Sequence, residues 1–283
     1  MIYRIRKQLA LLLCAVMATF SLSAQQQKMK ASDPLVNFGK AFYEAVYEYR
    51  AIDPLVNPEN PVVEIKNMVL LLGEDYSQYQ SYDGMRNDSL LNSYAGKYLN
   101  PFEIIGIVNS HGINGTSDYY LLRNHKNGES INVKHSLTIM PNDMDFSIYN
   151  SQFDEEAPRI EWTIHPEKKN IKGIEATKAT ATYRGREWTA WFTELMPYPE
   201  GPWELTGLPG LIIEAYDSKA EHTFSIIQLM PAERDILQRP EKFKKTSREA
   251  FRKFRRKVVE ADNSKYKTGE RSFPKFSNFI EPD

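Results

Sequence analysis

The chain has 283 residues, with 36 Lys and Arg against 37 Asp and Glu, 41% hydrophobic and 12% aromatic residues, and a single Cys. This balance belongs to an ordinary globular protein and excludes a disordered chain, a disulfide scaffold and a multi-span membrane protein. A net charge of −1 also removes general electrostatic capture of nucleic acid, and the length suits one domain.

Residues 1–24 read as a secretory signal peptide. Arg4, Arg6 and Lys7 form a positive start, Leu9 to Phe20 an apolar run, and Ser21, Ser23 and Ala24 a small-residue cleavage site. Cys14 lies inside the apolar run behind Leu13, so it is not a lipid-attachment cysteine. Cleavage after Ala24 would leave a chain without cysteine: no disulfide, no thiol nucleophile, no thiolate ligand. Loss of the three cations moves the charge from −1 to −4. No later apolar run approaches eighteen residues, so no transmembrane span is expected in the mature chain. The expected location is outside the cytoplasm, in the periplasm or associated with an outer membrane.

After a flexible lead-in over 25–40, the pattern predicts a single β-rich domain over 41–260 and a polar tail over 261–283. Strands are expected at Tyr43–Arg50 and at Glu64–Gly73, which holds the run Met68 to Leu72. Asp53–Pro61 is Pro- and Asn-rich and reads as a loop, and Asn87–Tyr98 as a short helix. Residues 101–130 carry turn signals at His111-Gly112, Asn114-Gly115 and Asn127-Gly128. Further strands are expected at Ile131–Met140, around the alternation of Ile160, Trp162 and Ile164, and at Ile171–Tyr183, Glu187–Thr193, Leu211–Tyr216 and His222–Gln228. Short strands at regular spacing predict an antiparallel sheet rather than βαβ units. Arg239–Lys257 holds ten Lys and Arg against two acids. There Phe251, Phe254 and Val258 share a helical face, with Thr246 or Ser247 as cap. The favoured reading packs those apolar residues on the sheet and shows the charges to water; an anionic membrane surface or an acidic partner are the alternatives.

No chemistry is legible in the spacings. The histidines 111, 125, 135, 165 and 222 form no metal-binding pattern. No Gly-x-Ser-x-Gly elbow or phosphate-cradling glycine loop occurs. No spacing selects a carboxylate pair, and Glu155-Glu156 reads as a solvated loop. Catalytic residues, metal and cofactor are therefore all assigned as none.

The most distinctive stretch is Tyr183 to Thr193, where Gly185 sits between Arg184 and Arg186 as a turn residue. Alternation sends Trp188, Ala190 and Phe192 to one face and Trp191 to the other. Pro197, Pro199, Gly201 and Pro202 then make a rigid loop with Trp203 near its tip. In Gly207-Leu208-Pro209-Gly210-Leu211-Ile212, Pro209 and Gly210 suit the centre of a type II turn, with positive φ at Gly210. Trp188, Trp191, Trp203 and Arg186 are the candidate ligand-binding residues, and Gly207 to Ile212 a structural motif.

The hexapeptide Gly207–Ile212, with the Trp162 segment, Gly173, Lys178-Ala179, Gly185-Arg186, Trp188 to Thr193, Gly201-Pro202 and the Leu71-to-Ser77 stretch, resembles the GLPGLI family of Bacteroidetes secreted proteins. Ala176 departs from it, since many members carry Cys there, and Ile174 stands where they have an aromatic residue. The resemblance supplies no activity and no catalytic residue. It implies an envelope protein, often encoded near outer-membrane transporters, with a mainly β (α+β) fold. The expected form is a curved antiparallel sheet, a half-barrel similar to lipoprotein carriers, with a C-terminal amphipathic helix. The leading expectation is a non-enzymatic protein that binds a small apolar ligand or an outer-membrane transporter. The alternative is a periplasmic hydrolase built from distant carboxylates or histidines.

Overall fold

The computed structural model describes residues 29–30, 33–54, 57–111, 118–126, 129–139, 149–238, 244–267 and 279–281. The expected signal peptide and the Asn114-Gly115 and Asn127-Gly128 turns lie outside them. In chain order the elements are β1 (Met29–Lys30), β2 (Val36–Asp53), β3 (Val62–Gly73), β4 (Tyr76–Ser81), α1 (Tyr82–Asn92), β5 (Tyr98–Leu99), α2 (Pro101–Ser110), β6 (Asp118–Lys126), β7 (Glu129–Ile139) and β8 (Tyr149–Glu156). There follow β9 (Thr163–Ile171), β10 (Ile174–Tyr183), β11 (Arg186–Thr193), β12 (Leu211–Asp217), β13 (His222–Gln238), β14 (Lys244–Lys245) and α3 (Arg248–Lys267).

Twelve strands form one sheet in the order β14-β8-β7-β6-β4-β3-β2-β13-β12-β11-β10-β9, while β1 pairs with β5 alone. Every pairing is antiparallel except β14 with β8. The sheet does not close, yet it curls deeply. β8 and β10 stand nine places apart, which in a flat sheet means about 40 Å. Even so, Arg184, in the turn after β10, reaches Glu155 of β8 at 3.0 Å. The expected half-barrel form is in keeping with this curvature.

Alternation sorts the sheet into two faces. On the inner face Tyr47, Met68, Leu70, Tyr79, Leu121, Trp188, Ile213 and Phe224 join one core. On the outer face Val46, Val69, Leu71, Leu122 and Ile236 pack with Met85 of α1. The run Met68 to Leu72 is apolar throughout because both faces are covered there.

Several local expectations are corrected. β2 begins at Val36, ahead of the expected strand. The expected strand Ile171–Tyr183 starts too early: Ile171 ends β9, and β10 begins only at Ile174. Lys172 (φ 53°) and Gly173 (φ 88°) make a two-residue turn with Ile171 opposite Ile174. Arg184 (φ 49°) and Gly185 (φ 75°) repeat it between β10 and β11, so both hairpins use the positive-φ pair that matches strand twist. Ile160 and Trp162 precede β9 instead of lying in it. Helix α1 starts at Tyr82, where the Ser81 hydroxyl accepts from the Gly84 N–H at 3.1 Å. Helix α2 was not expected. Asn100 and Glu103 cap it reciprocally at 2.9 and 2.7 Å, with Pro101 in its first position. Among the described residues no helix is long and apolar enough to cross a membrane.

Candidate functional site

Two pieces of chain cover the inner face. The first is the 194–210 loop, which the prolines and glycines fold into a plug. Its backbone is knitted by Leu211 N–H to Met196 O, Ile212 N–H to Glu200 O and Gly207 N–H to Pro199 O, each at 2.9 Å. Trp203, Leu205 and Leu208 are buried in the core. Arg123 of β6, 1% exposed, pairs with the equally buried Glu200 at 2.8 Å, and also donates to the Trp203 carbonyl. Trp203 itself sits at φ 50°, a left-handed conformation that bulky side chains seldom adopt. The GLPG turn differs from expectation. Gly210 does not have positive φ; Gly207 does, at 90°. Gly210 is needed for closeness, because a Cβ there would lie 2.1 Å from the Thr193 carbonyl oxygen.

The second cover is α3 with residues 279–281. Ser247 caps the helix, its hydroxyl accepting from the Ala250 N–H at 3.2 Å. Phe251 is buried and meets Phe153 of β8 edge-on at 5.3 Å. The favoured reading of this helix is only half right: Arg248, Arg252, Arg255 and Arg256, all half-buried, line a cavity shared with the sheet. The cavity has a volume of about 140 Å³. Its floor is Tyr49, Met68, Tyr79, Phe153 and Phe224, and Trp203 and Phe279 to Glu281 also line it. The lining carries five cations, the four arginines and Lys66, against two carboxylates, Glu64 and Glu281.

At the rim, Arg248 joins segments far apart in sequence. It grips Glu155 with Nε, at 2.9 Å, and with Nη2. It also reaches Glu204 at 3.1 Å and Glu281 at 2.7 Å. The Tyr183 hydroxyl donates to Glu204 at 2.6 Å, and the fully buried His135 lies 3.2 Å from Glu155. Burial alone would raise the Glu155 carboxyl, but hydrogen bonds from His135 and Arg248 outweigh it and hold it down to about 2. Glu204 is likewise pulled below the usual range against its burial, by His135 and Arg248. Tyr183 is pushed well up, by burial and then by Glu204. Glu155 is thus no solvated loop residue. His135, Glu155 and Glu204 place ligand atoms within 4.8 Å of one another, a convergence invisible in the spacing. Their donor set would suit a divalent cation, but Arg184 and Arg248 donate to the same carboxylate oxygens.

The residues singled out from sequence are divided by the fold. Trp203 borders the cavity. Trp188 is 1% exposed behind it, its ring 5.8 Å from Trp203, and its indole N–H donates to the Tyr183 carbonyl. Trp191 does not border the cavity; it lies under Lys169, whose ammonium is 4.3 Å from the ring. Arg186 binds Asp217 and Glu221 and donates to the carbonyls of Phe279 and Ile280 at 3.0 Å each. Gly207 to Ile212 close the plug. The α3 arginines, Glu155, Glu204 and His135 were missed as site residues.

The profile of a family described as "Protein of unknown function (Porph_ging)" matches residues 145–214, the stretch from β8 through the plug into β12. No curated protein matches the sequence. Among solved structures, PNGF-II in a P21 crystal form is similar, at 12% identity and a TM-score of 0.51 over 77% of this chain. A C2 form of PNGF-II gives 10% identity and a TM-score of 0.49. The chain spans only about a third of PNGF-II, 34% in the first case. The likeness is one of fold alone.

Proposed function

We propose that the protein is a non-enzymatic binding protein, and that its site is the cavity between the inner face of the sheet and α3. One observation carries the reading: an aromatic, apolar floor lies under a roof that carries four arginines, so an apolar ligand with an acidic group fits both surfaces. The GLPGLI resemblance, export through the leader, and work beside an outer-membrane transporter belong to the same proposal. The test is titration of the mature protein with the apolar dye 1-N-phenylnaphthylamine. Saturable one-to-one uptake is expected, with quenching of tryptophan emission. Met68→Trp, which fills the cavity from its floor, abolishes it. Absence of saturable uptake by the folded wild type contradicts the reading.

A second reading, hydrolysis, draws on the convergence of His135, Glu155 and Glu204. Weighing against it, both carboxylates are held in the ionised form by His135 and Arg248, so neither is available as a general acid near neutral pH. The arrangement is better suited to clamping α3 and the 279–281 segment. A panel of ester, amide and glycoside substrates whose turnover vanishes in His135→Gln would favour hydrolysis.

A further inference from the structure

The cavity is lined in part by one short piece of this chain, Phe279–Glu281, whose contacts resemble those of a bound ligand. Arg186 uses its planar fork on two successive backbone carbonyls, Nη2 to Phe279 O and Nε to Ile280 O, both at 3.0 Å. Asp217 and Glu221 fix the fork from behind. The Phe279 ring lies under Arg255, whose guanidinium carbon is 4.4 Å from its centre. Ile280 packs against the inner-face core. Glu281 accepts from Arg248 at 2.7 Å and lies 3.5 Å from Arg252. Backbone, apolar side chains and carboxylate are each met by a separate group.

We propose that Phe279–Glu281 is an internal stand-in for the ligand, and that the cavity's ligand is an extended peptide segment: two apolar residues followed by a carboxylate. The inference rests on the reading of the cavity as a binding site and adds the chemical class of its occupant. The paired carbonyls decide for a peptide. A fatty acid or other simple amphiphile would satisfy the arginines of α3 and the aromatic floor, but it offers the Arg186 fork no two consecutive carbonyls. The charge agrees in sign, since the carboxylate that the segment brings, Glu281, meets Arg248 and Arg252. A peptide from another protein would displace the segment and present its own acid to Arg248 and Arg252.

The test uses the full mature chain with Phe279→Ala and Glu281→Ala together, which weakens the stand-in, and a fluorescein-labelled peptide of residues 277–283 added in trans. Anisotropy is expected to show the variant binding the peptide at least about tenfold more tightly than wild type, whose site is occupied by its own segment. Adding Arg186→Lys, which keeps the charge and loses the fork, should cut peptide affinity about tenfold. Should the double variant lose its circular dichroism spectrum, Glu281→Gln alone serves, with the same direction. A folded variant that takes up the apolar dye but not the peptide overturns the peptide assignment and leaves the cavity reading standing. Dye displacement by oleate but not by the peptide does the same and assigns the cavity to a lipid-like anion. Uptake of neither dye nor peptide overturns both.

Discussion

The two covers of the inner face are built on different principles. The 194–210 plug is core: Trp203, Leu205 and Leu208 are at most 3% exposed, Gly201 and Gly210 admit backbone at contact distance, and the Arg123–Glu200 ion pair is sealed inside. The α3 cover leaves a cavity beneath it and is held largely by charged side chains, Arg248 to Glu155, Glu204 and Glu281. Close-packed apolar surface is lost all or none, whereas a charged clamp over an unfilled space can open without dismantling the sheet. The contrast separates a part that makes the fold from a part that can work upon it.

Substitutions can break this contrast, and the largest effects are expected in the plug. Arg123→Met strands Glu200 as a buried charge and should cost about 3–5 kcal/mol, read from urea unfolding. Gly210→Ala should cost about 3 kcal/mol, because its Cβ meets the Thr193 backbone, which cannot retreat without parting β11 from β12. Glu155→Gln loosens the α3 clamp and should cost only about 1–2 kcal/mol, with greater dye uptake; a cost equal to that of Arg123→Met or Gly210→Ala would erase the distinction. Gly207→Ala meets open space and suffers only from φ 90°, so about 1 kcal/mol is expected.

Acid sharpens the comparison further. Burial and the charges of Arg186 and Arg255 hold His222 down to about 3, so the unfolded chain takes up a proton there first. Stability is therefore lost as pH falls from about 6.5 toward 3, and His222→Gln should flatten that limb. Glu155, held down to about 2, contributes stability that is full above about pH 4.5 and lost between there and 2; Glu155→Gln should flatten that lower limb instead.

How much of this was legible depended on the range of the signal. The strands β3, β11 and β12 were readable because their patterns are local, as was the Gly185 turn. The capping box Asn100-Pro101-x-Glu103 is also in the sequence and marks the start of α2, but the Gly-rich turn signals that follow obscure it. β8 was lost because its polar residues serve partners elsewhere: Glu155 looks like a loop residue until His135 and Arg248, 20 and 93 positions away, are placed beside it. The same holds for the site. Tryptophans announce themselves by rarity, but Trp188 and Trp191 are core residues that do not border the cavity. The arginines of α3 looked like a solvated face because nothing in a helical repeat says that a curled sheet will stand opposite.

The most direct test of the contrast is hydrogen exchange followed by mass spectrometry, comparing amides of 196–213 with those of 248–267. The account predicts that α3 exchanges through an opening well below the global unfolding free energy, that the plug exchanges only with the core strands β2, β3 and β13, and that an occupant of the cavity slows α3 alone. Protection of α3 equal to that of the plug, unchanged by any cavity ligand, would contradict it.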